Sequence, residues 1–145
     1  MDIDTLAPDG QLTLCLRAEE VCLRRIREIE RQSDPRDAAL HRLLREIESV
    51  GRAQLDQVAE IAYPAGPQDV EIPVEPYFPS TRERLGEAPL NRDSAMYYLE
   101  SLMVEASRFF QKMALAAMDD RARAIFTHIA LGELGQVARL RTVLL

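Results

Sequence analysis

Apolar side chains recur along the chain in steps of three and four residues, which places them on one face of a helix. The first such stripe predicts a helix over about residues 10–32, and Glu19 is its one polar member. Its positions are Leu12, Cys15, Glu19, Cys22, Ile26 and Ile29. The second stripe predicts a helix over about residues 35–62, with Glu48 beside the stripe position Ile47. Its positions are Leu40, Leu44, Ile47, Gly51, Gln54 and Val58. Only Ser33-Asp34-Pro35 separates the two helices, and Asp34 is expected to cap the second of them. So short a connection predicts antiparallel neighbours.

The second half of the chain follows the same order. A third helix is predicted over about residues 92–118, with Asn91 or Asp93 as its N-cap. Its stripe is Leu99, Met103, Ala106, Phe110, Met113 and Ala117. After a short turn, a fourth helix is predicted over about residues 120–144. Its stripe is Ile125, Ile129, Gly132, Gln136, Leu140 and Val143. Gln136 is a polar member of this stripe, and Glu133 lies one residue off its centre.

The segment between the two halves has a different composition. Six of the eight prolines lie between Tyr63 and Arg92, and proline is excluded from helix interiors and central strands. The segment is long enough to cross the full length of a helical bundle. Its apolar residues between Val70 and Phe78 predict that it packs along the outside of the helices. A short helical turn is expected around residues 80–85.

The order of helix, short turn and helix therefore occurs twice. An offset of 85 residues places Glu48 on Glu133 and Leu55 on Leu140. Two helical hairpins joined by a long proline-rich crossover at 63–91 predict an all-α fold, a four-helix bundle with one long connection. At 145 residues, the chain is predicted to form a single domain over 1–145.

Composition restricts the function more than the fold. The formal net charge of −6 argues against nucleic acid, whose binding needs an electropositive surface. The acidic start and the absence of a run of about 20 apolar residues predict a cytoplasmic protein with no membrane contact. Cys15 and Cys22 are two helical turns apart, too far for a disulfide, and are predicted to be buried free thiols.

Glutamates on the predicted inner faces indicate a metal site. In four-helix carboxylate proteins, each hairpin supplies a Glu from its first helix and a Glu-x-x-His from its second. The matching positions here are Glu19 with Glu48-Ser49-Val50-Gly51, and Met103 with Glu133-Leu134-Gly135-Gln136. In these residues, and in the stretches 105–110 and 133–140, the chain resembles the ferritin-like superfamily and its rubrerythrin-like group. The resemblance implies a ferritin-like bundle that holds iron or another divalent metal. As an enzyme it would be a metal-dependent oxidoreductase that oxidises ferrous iron or reduces peroxide.

Three of the six ligand positions depart from the family pattern. Gly51 and Gln136 stand where histidines are expected, and Met103 replaces a glutamate. Glycine has no ligand atom, and a thioether is a poor ligand for a hard metal. The candidate metal ligands are those side chains that retain oxygen donors, together with one residue a turn before Met103. They are Glu19, Glu48, Glu133, Gln136 and Glu100. The first four are expected to converge at the centre of the bundle, and no catalytic residue is indicated.

Two functions of different classes remain open. The first is a ferritin-like protein with an altered carboxylate metal site and a role in iron binding or redox chemistry. The second is a bundle without metal that serves as a structural or interaction module. In that case Glu48 and Glu133 pair with arginines such as Arg45 or with glutamines in a polar layer. The retained glutamates favour the first function, and the missing histidines favour the second.

Aromatic residues add a prediction about assembly. The sequence has more large aromatic side chains than the interior of one bundle readily holds. They include Tyr77, Phe78, Tyr98 and Phe109. Exposed apolar patches usually mark interfaces. The chain is therefore predicted to form a homodimer through the crossover or an outer helix face.

Overall fold

The structure is a computed structural model that describes residues 3–62 and 73–143. Its four long helices are α1 (Pro8–Gln32), α2 (Ala38–Ala62), α3 (Arg92–Ala116) and α4 (Asp120–Val143), and short 3-10 helices span Ile3–Thr5, Glu75–Tyr77 and Pro79–Arg82. Over these ranges there is no strand, and one isolated bridge joins Ser33 to Leu90. No helix in the same ranges has the length and apolarity needed to cross a bilayer. The predicted all-α class with four helices is confirmed.

The second helix begins later than predicted because a different aspartate caps it. Asp37, rather than Asp34, accepts a hydrogen bond from the backbone N–H of Leu40 at 3.1 Å. Its carboxylate also accepts hydrogen bonds from the Arg92 guanidinium at 2.9 and 2.7 Å. These bonds from Arg92 lower the pKa of Asp37 and tie this turn to the start of α3. The N-cap of α3 is Asn91, one of the two predicted residues, and it accepts from a backbone N–H at 2.8 Å.

One hydrophobic core joins all four helices. Helix α1 packs against α2 and α3, and α3 packs against α4. The segments 33–37 and 117–119 are short, so each helix pair that they connect lies side by side. Helices α2 and α4 approach each other closely at few points, and an ion pair between Glu46 and Arg139 connects them at the surface. The four inner faces therefore enclose a common centre.

The described part of the connecting segment, residues 73–91, lies against α1 and α3. Arg25 of α1 is only 3% exposed and donates hydrogen bonds to the carbonyls of Ser80 at 2.8 Å and Glu83 at 3.0 Å. Glu105 of α3 accepts from the Ser80 hydroxyl at 2.6 Å and from its backbone N–H at 2.9 Å. The helical turn expected around 80–85 is the 3-10 helix Pro79–Arg82. The first part of the predicted strip, residues 70–72, lies outside the described residues.

The aromatic residues that were expected at an interface belong mainly to the core. Phe78 and Phe109 are buried, and the Tyr77 ring meets Phe109 edge-on at a centroid distance of 5.1 Å. Tyr98 is half-buried, and its hydroxyl accepts a hydrogen bond from the backbone N–H of Gly86 at 3.1 Å. Tyr77 and Phe78 belong to the connecting segment and pack on Phe109 of α3, so the core extends beyond the interior of the four helices. These residues do not form the exposed patch that the sequence predicted.

Candidate functional site

Two glutamates from different helices are buried at the common centre. Glu19 of α1 is 1% exposed and Glu133 of α4 is 6% exposed. Both border one small cavity of about 10 Å³, roughly the space that a single water molecule needs. Glu19 points inward because it lies on the apolar stripe of α1, among Cys15, Cys22 and Ile26. The two carboxyl groups thus share a site that little solvent reaches.

The rest of the cavity wall comes from all four helices. Its polar members besides the glutamates are Gln54 of α2 and Gln136 of α4. The other lining residues are apolar, small or a thiol: Cys22, Leu23, Ile26, Ile47, Val50, Gly51 and Met103. Glu133 and Gln136 are three residues apart, which puts both on one face of α4. The structure therefore brings Glu19, Glu133 and Gln136 to one place, and Gln54 joins them.

Three buried oxygens at this cavity are left without hydrogen bonds. Among the described residues, Glu19 Oε1, Gln54 Oε1 and Gln136 Oε1 have no hydrogen-bond partner. A buried polar atom in this condition costs about 1–3 kcal/mol. The Gln54 side chain reaches from α2 to α4, because its Nε2 would lie 3.0 Å from a Cβ built on Gly132. Unsatisfied oxygen atoms are thus concentrated around one cavity.

Burial disfavours the charged form of both carboxyl groups. It raises the pKa of Glu133 from 4.5 to about 7. The pKa of Glu19 is raised well above its usual range, first by burial and then by the negative charge of Glu133. Burial, followed by the charge of Glu19, also raises the pKa of the Cys22 thiol. Burial therefore favours the protonated form of both carboxyl groups.

Two of the predicted candidate ligands lie elsewhere. Glu48 is half-buried on α2, and its Oε1 accepts a hydrogen bond from Arg27 Nε at 2.5 Å. Its neighbour Ile47 borders the cavity, and the rotation of about 100° per residue turns Glu48 away from it. Glu100 lies in a surface groove of α3 beside Arg108. The expectation that Glu48 reaches the centre was wrong, and Glu100 does not take the place of Met103.

The residues present do not fit the dinuclear centre of ferritin-like proteins. Such a centre uses four carboxylates and two histidines, whereas this cavity has two carboxylates. A Cβ on Gly51 would lie 2.8 Å from Leu23 Cδ2 and 3.8 Å from Glu19 Oε2, so Leu23 fills the space of the expected histidine. Within 3–62 and 73–143, no three His, Cys, Asp or Glu side chains are grouped so that they could hold a metal ion. A metal here would need ligands from the glutamines.

Two features of this region were not predicted from the sequence. Cys22 borders the same cavity as Glu19, and the spacing of three residues between them was the available signal. Both cysteines are buried and free, as predicted. Arg25 is buried although it follows Arg24 in a charged stretch. It is held by carbonyls of the connecting segment, which no local pattern reveals.

Comparisons of the chain with protein-family models, with curated proteins and with solved structures found no significant match. The resemblance to ferritin-like proteins therefore depends on the residues quoted from the sequence.

Two glycines offer a matched test of how tightly the cavity wall is packed. Gly51→Ala places a methyl group against Leu23, whereas a Cβ at Gly135 meets no described atom within 4 Å. Alanine favours a helix over glycine by about 1 kcal/mol, so Gly135→Ala is expected to raise the free energy of unfolding. The free energy of unfolding of Gly51→Ala is expected to be at least about 1 kcal/mol lower than that of Gly135→Ala. The reason is that the added methyl group overpacks the cavity wall against Leu23. Urea denaturation of both variants measures the difference, and equal gains would show that the wall is loose.

Proposed function

We propose that this protein binds a single divalent cation in the cavity between its four helices, as a ferritin-like protein with an altered carboxylate site. The observation that carries the proposal is the group of unpartnered oxygens at Glu19, Gln54 and Gln136. Each buried polar atom without a partner requires an explanation, and an ion is one. Glu133 borders the same cavity and completes a set of four oxygen-bearing side chains.

The charges and ligand types support one cation of a particular class. Two ionised carboxylates carry a charge of −2, which a divalent ion neutralises without a further counterion. Carboxylate and carboxamide oxygens are hard ligands that suit magnesium, calcium and manganese ions. Cys22 adds no ready ligand, because burial raises the pKa of its thiol and a metal binds the thiolate.

The resemblance to rubrerythrin-like proteins adds ferrous iron to the candidate ions. A redox role, including an activity as a metal-dependent oxidoreductase, follows only if the bound ion is iron or manganese. The residues of this chain would bind and orient that ion. Met103 and Ile47 border the cavity and would limit the access of water to it.

A second candidate function is a structural or interaction module without metal. It is favoured by the raised pKa values of Glu19 and Glu133, because a carboxyl group that keeps its proton needs no cation. A protonated carboxyl group can also donate a hydrogen bond to a glutamine oxygen. Gln54 and Gln136 supply such acceptors at the cavity. The pair would then form a neutral polar layer within the core.

Titration calorimetry on protein treated with a chelator tests the proposal. Mn²⁺, Mg²⁺, Ca²⁺ and anaerobic Fe²⁺ are each added, and one of them is expected to bind with a stoichiometry of one per chain. A mononuclear Mn²⁺ complex would show the six-line electron paramagnetic resonance spectrum of an isolated ion. Glu19→Gln and Gln136→Leu should each weaken binding at least tenfold. Glu48→Gln is the matched control and should bind like the wild type, since its carboxylate contacts Arg27.

The same titration distinguishes the two candidate functions. Absence of binding at millimolar concentrations of all four ions would contradict the proposal and favour the metal-free module. Equal affinity in the wild type and in Glu19→Gln would place the ion on surface carboxylates instead.

A further inference from the structure

The outer side of α4 carries no charged side chain over most of its length. Between Arg123 and Arg139 the one charged residue is Glu133, and it is buried in the central cavity. The exposed positions in this stretch recur in steps of three and four residues and form a second stripe, opposite the core-facing one. They include Ala124, Thr127, Leu131, Leu134 and Ala138. Helix α4 is therefore apolar on two sides, although only one of them faces the core.

The second stripe borders a groove between α3 and α4 with a volume of about 570 Å³. On either side of the groove, Leu115 is 88% exposed and Leu131 is 63% exposed. We define the α3–α4 face by the groove residues that lack charge together with the next stripe residue of α4: Gln111, Ala114, Leu115, Thr127, Ala130, Leu131 and Leu134. Exposed apolar side chains that lie together in one patch usually mark an interaction site.

The charge at the end of the groove is already compensated within the chain. The Arg123 guanidinium donates hydrogen bonds to the Asp120 carboxylate and to the Ala117 carbonyl, each at 3.2 Å. The groove therefore presents no unpaired charge to a partner. A groove of similar volume on α2, about 610 Å³, is lined instead by His41, Arg42, Arg45 and Glu46 together with small residues. The two grooves differ in chemistry rather than in size.

We propose that the α3–α4 face is the surface through which two copies of this chain associate as a twofold-symmetric dimer. Each copy has a formal net charge of −6, so two copies repel each other wherever unpaired acidic groups meet. The α3–α4 face avoids that repulsion. A twofold dimer needs one surface that is complementary to itself, and the charged α2 groove does not offer an apolar counterpart.

The spacing of the stripe supplies this self-complementarity. Two helices pack when rows of side chains at spacings of three and four residues fit into each other's grooves. Helix α4 of a second copy presents the same row, with two leucines at its centre and alanines at its ends. The interface lies on the opposite side of α4 from the cavity. It is therefore independent of whether Glu19 and Glu133 hold a cation.

Single substitutions test this interface. At tens of micromolar, sedimentation velocity and light scattering should give the wild type twice the chain mass of 16.4 kDa. Leu131→Arg and Leu115→Arg should each give the chain mass, because they place two like charges in a symmetric contact. Tyr97→Arg is the matched control, since Tyr97 is 59% exposed but lies in a different groove of α3. It should remain a dimer.

Two further measurements make the outcome decisive. Circular dichroism spectra of the arginine variants should match the wild type and their melting should remain cooperative, at a temperature lowered by loss of the dimer, which shows that loss of the dimer is not loss of the fold. Thr127→Cys should be cross-linked to a second copy by a short bismaleimide, whereas the native Cys15 and Cys22 are buried. A monomeric wild type would overturn the proposal, whether or not another protein copurifies with it. A dimer that survives Leu131→Arg would overturn it as well.

Discussion

Glu133→Gln is expected to stabilise the metal-free protein at pH 8 and to flatten its stability between pH 5 and pH 8. The pKa of Glu133 is 4.5 in its usual environment and about 7 in the folded state. Over that interval the folded state binds a proton that the unfolded state has lost, so the stability of the wild type falls as pH rises. The difference between the two pKa values corresponds to a loss of about 3 kcal/mol in the free energy of unfolding once the pH exceeds 7. Glutamine avoids this loss because it carries no charge.

Urea denaturation in the presence of a chelator, at pH 5, 6, 7 and 8, measures this effect. Below about pH 4.5 the Glu133 contribution vanishes, because both states are then protonated. Some pH dependence should remain in the variant, since burial also raises the pKa of Glu19. Glu48→Gln serves as the control and should keep the slope of the wild type. A wild type that gains stability from pH 5 to pH 8, together with a less stable Glu133→Gln, would show that the ionised carboxylate is needed for folding.

A cation that binds in the cavity is expected to oppose the loss of stability that accompanies rising pH. A ligand at 100 times its dissociation constant stabilises the folded state by about 2.7 kcal/mol. Binding requires ionised carboxylates and releases their protons, so stabilisation should be larger at pH 8 than at pH 6. Melting temperatures with Mn²⁺ and with chelator, measured at both pH values, give the comparison.

The variants again identify the site. Stabilisation by Mn²⁺ should be lost in Glu133→Gln and retained in Glu48→Gln. If Glu133→Gln is stabilised as much as the wild type, the ion acts on surface carboxylates rather than in the cavity. If none of Mn²⁺, Mg²⁺, Ca²⁺ and anaerobic Fe²⁺ changes the melting temperature of the wild type, and Glu133→Gln is more stable than the wild type at pH 8, the metal-free polar layer is the better account.

The sequence by itself determined the helices and the inward direction of several polar residues. An α-helix has a local period of 3.6 residues, and the apolar positions of each stripe recur with that period. The same period directs Glu19 of α1 and Gln136 of α4, which lie on their stripes, towards the core. Pro73, Pro76, Pro79 and Pro89 exclude a long helix from the described part of the connecting segment, residues 73–91, for an equally local reason.

Only the tertiary structure decided where residues at the edge of a stripe point. Glu48 and Glu133 occupy equivalent places in the two hairpins, yet Glu133 is buried and Glu48 contacts Arg27. The difference arises from the rotation of each helix about its axis, which the packing of neighbouring helices sets. Likewise, Arg25 is buried because carbonyls of a segment 55 and 58 residues away accept its hydrogen bonds. Asp37, which caps α2, also binds Arg92 across 55 residues of the chain, a contact that no local pattern reveals.

Helix α4 shows the same division between local pattern and packing. Its sequence contains an apolar stripe on each of two sides, and the local period is the same in both. The side that carries Ile129 and Val137 is buried because α3 and the other helices cover it, whereas the side that carries Leu131 is exposed. Burial depends on which surfaces lie within reach of a neighbour, and that is a property of the assembled helices rather than of any one stretch of residues.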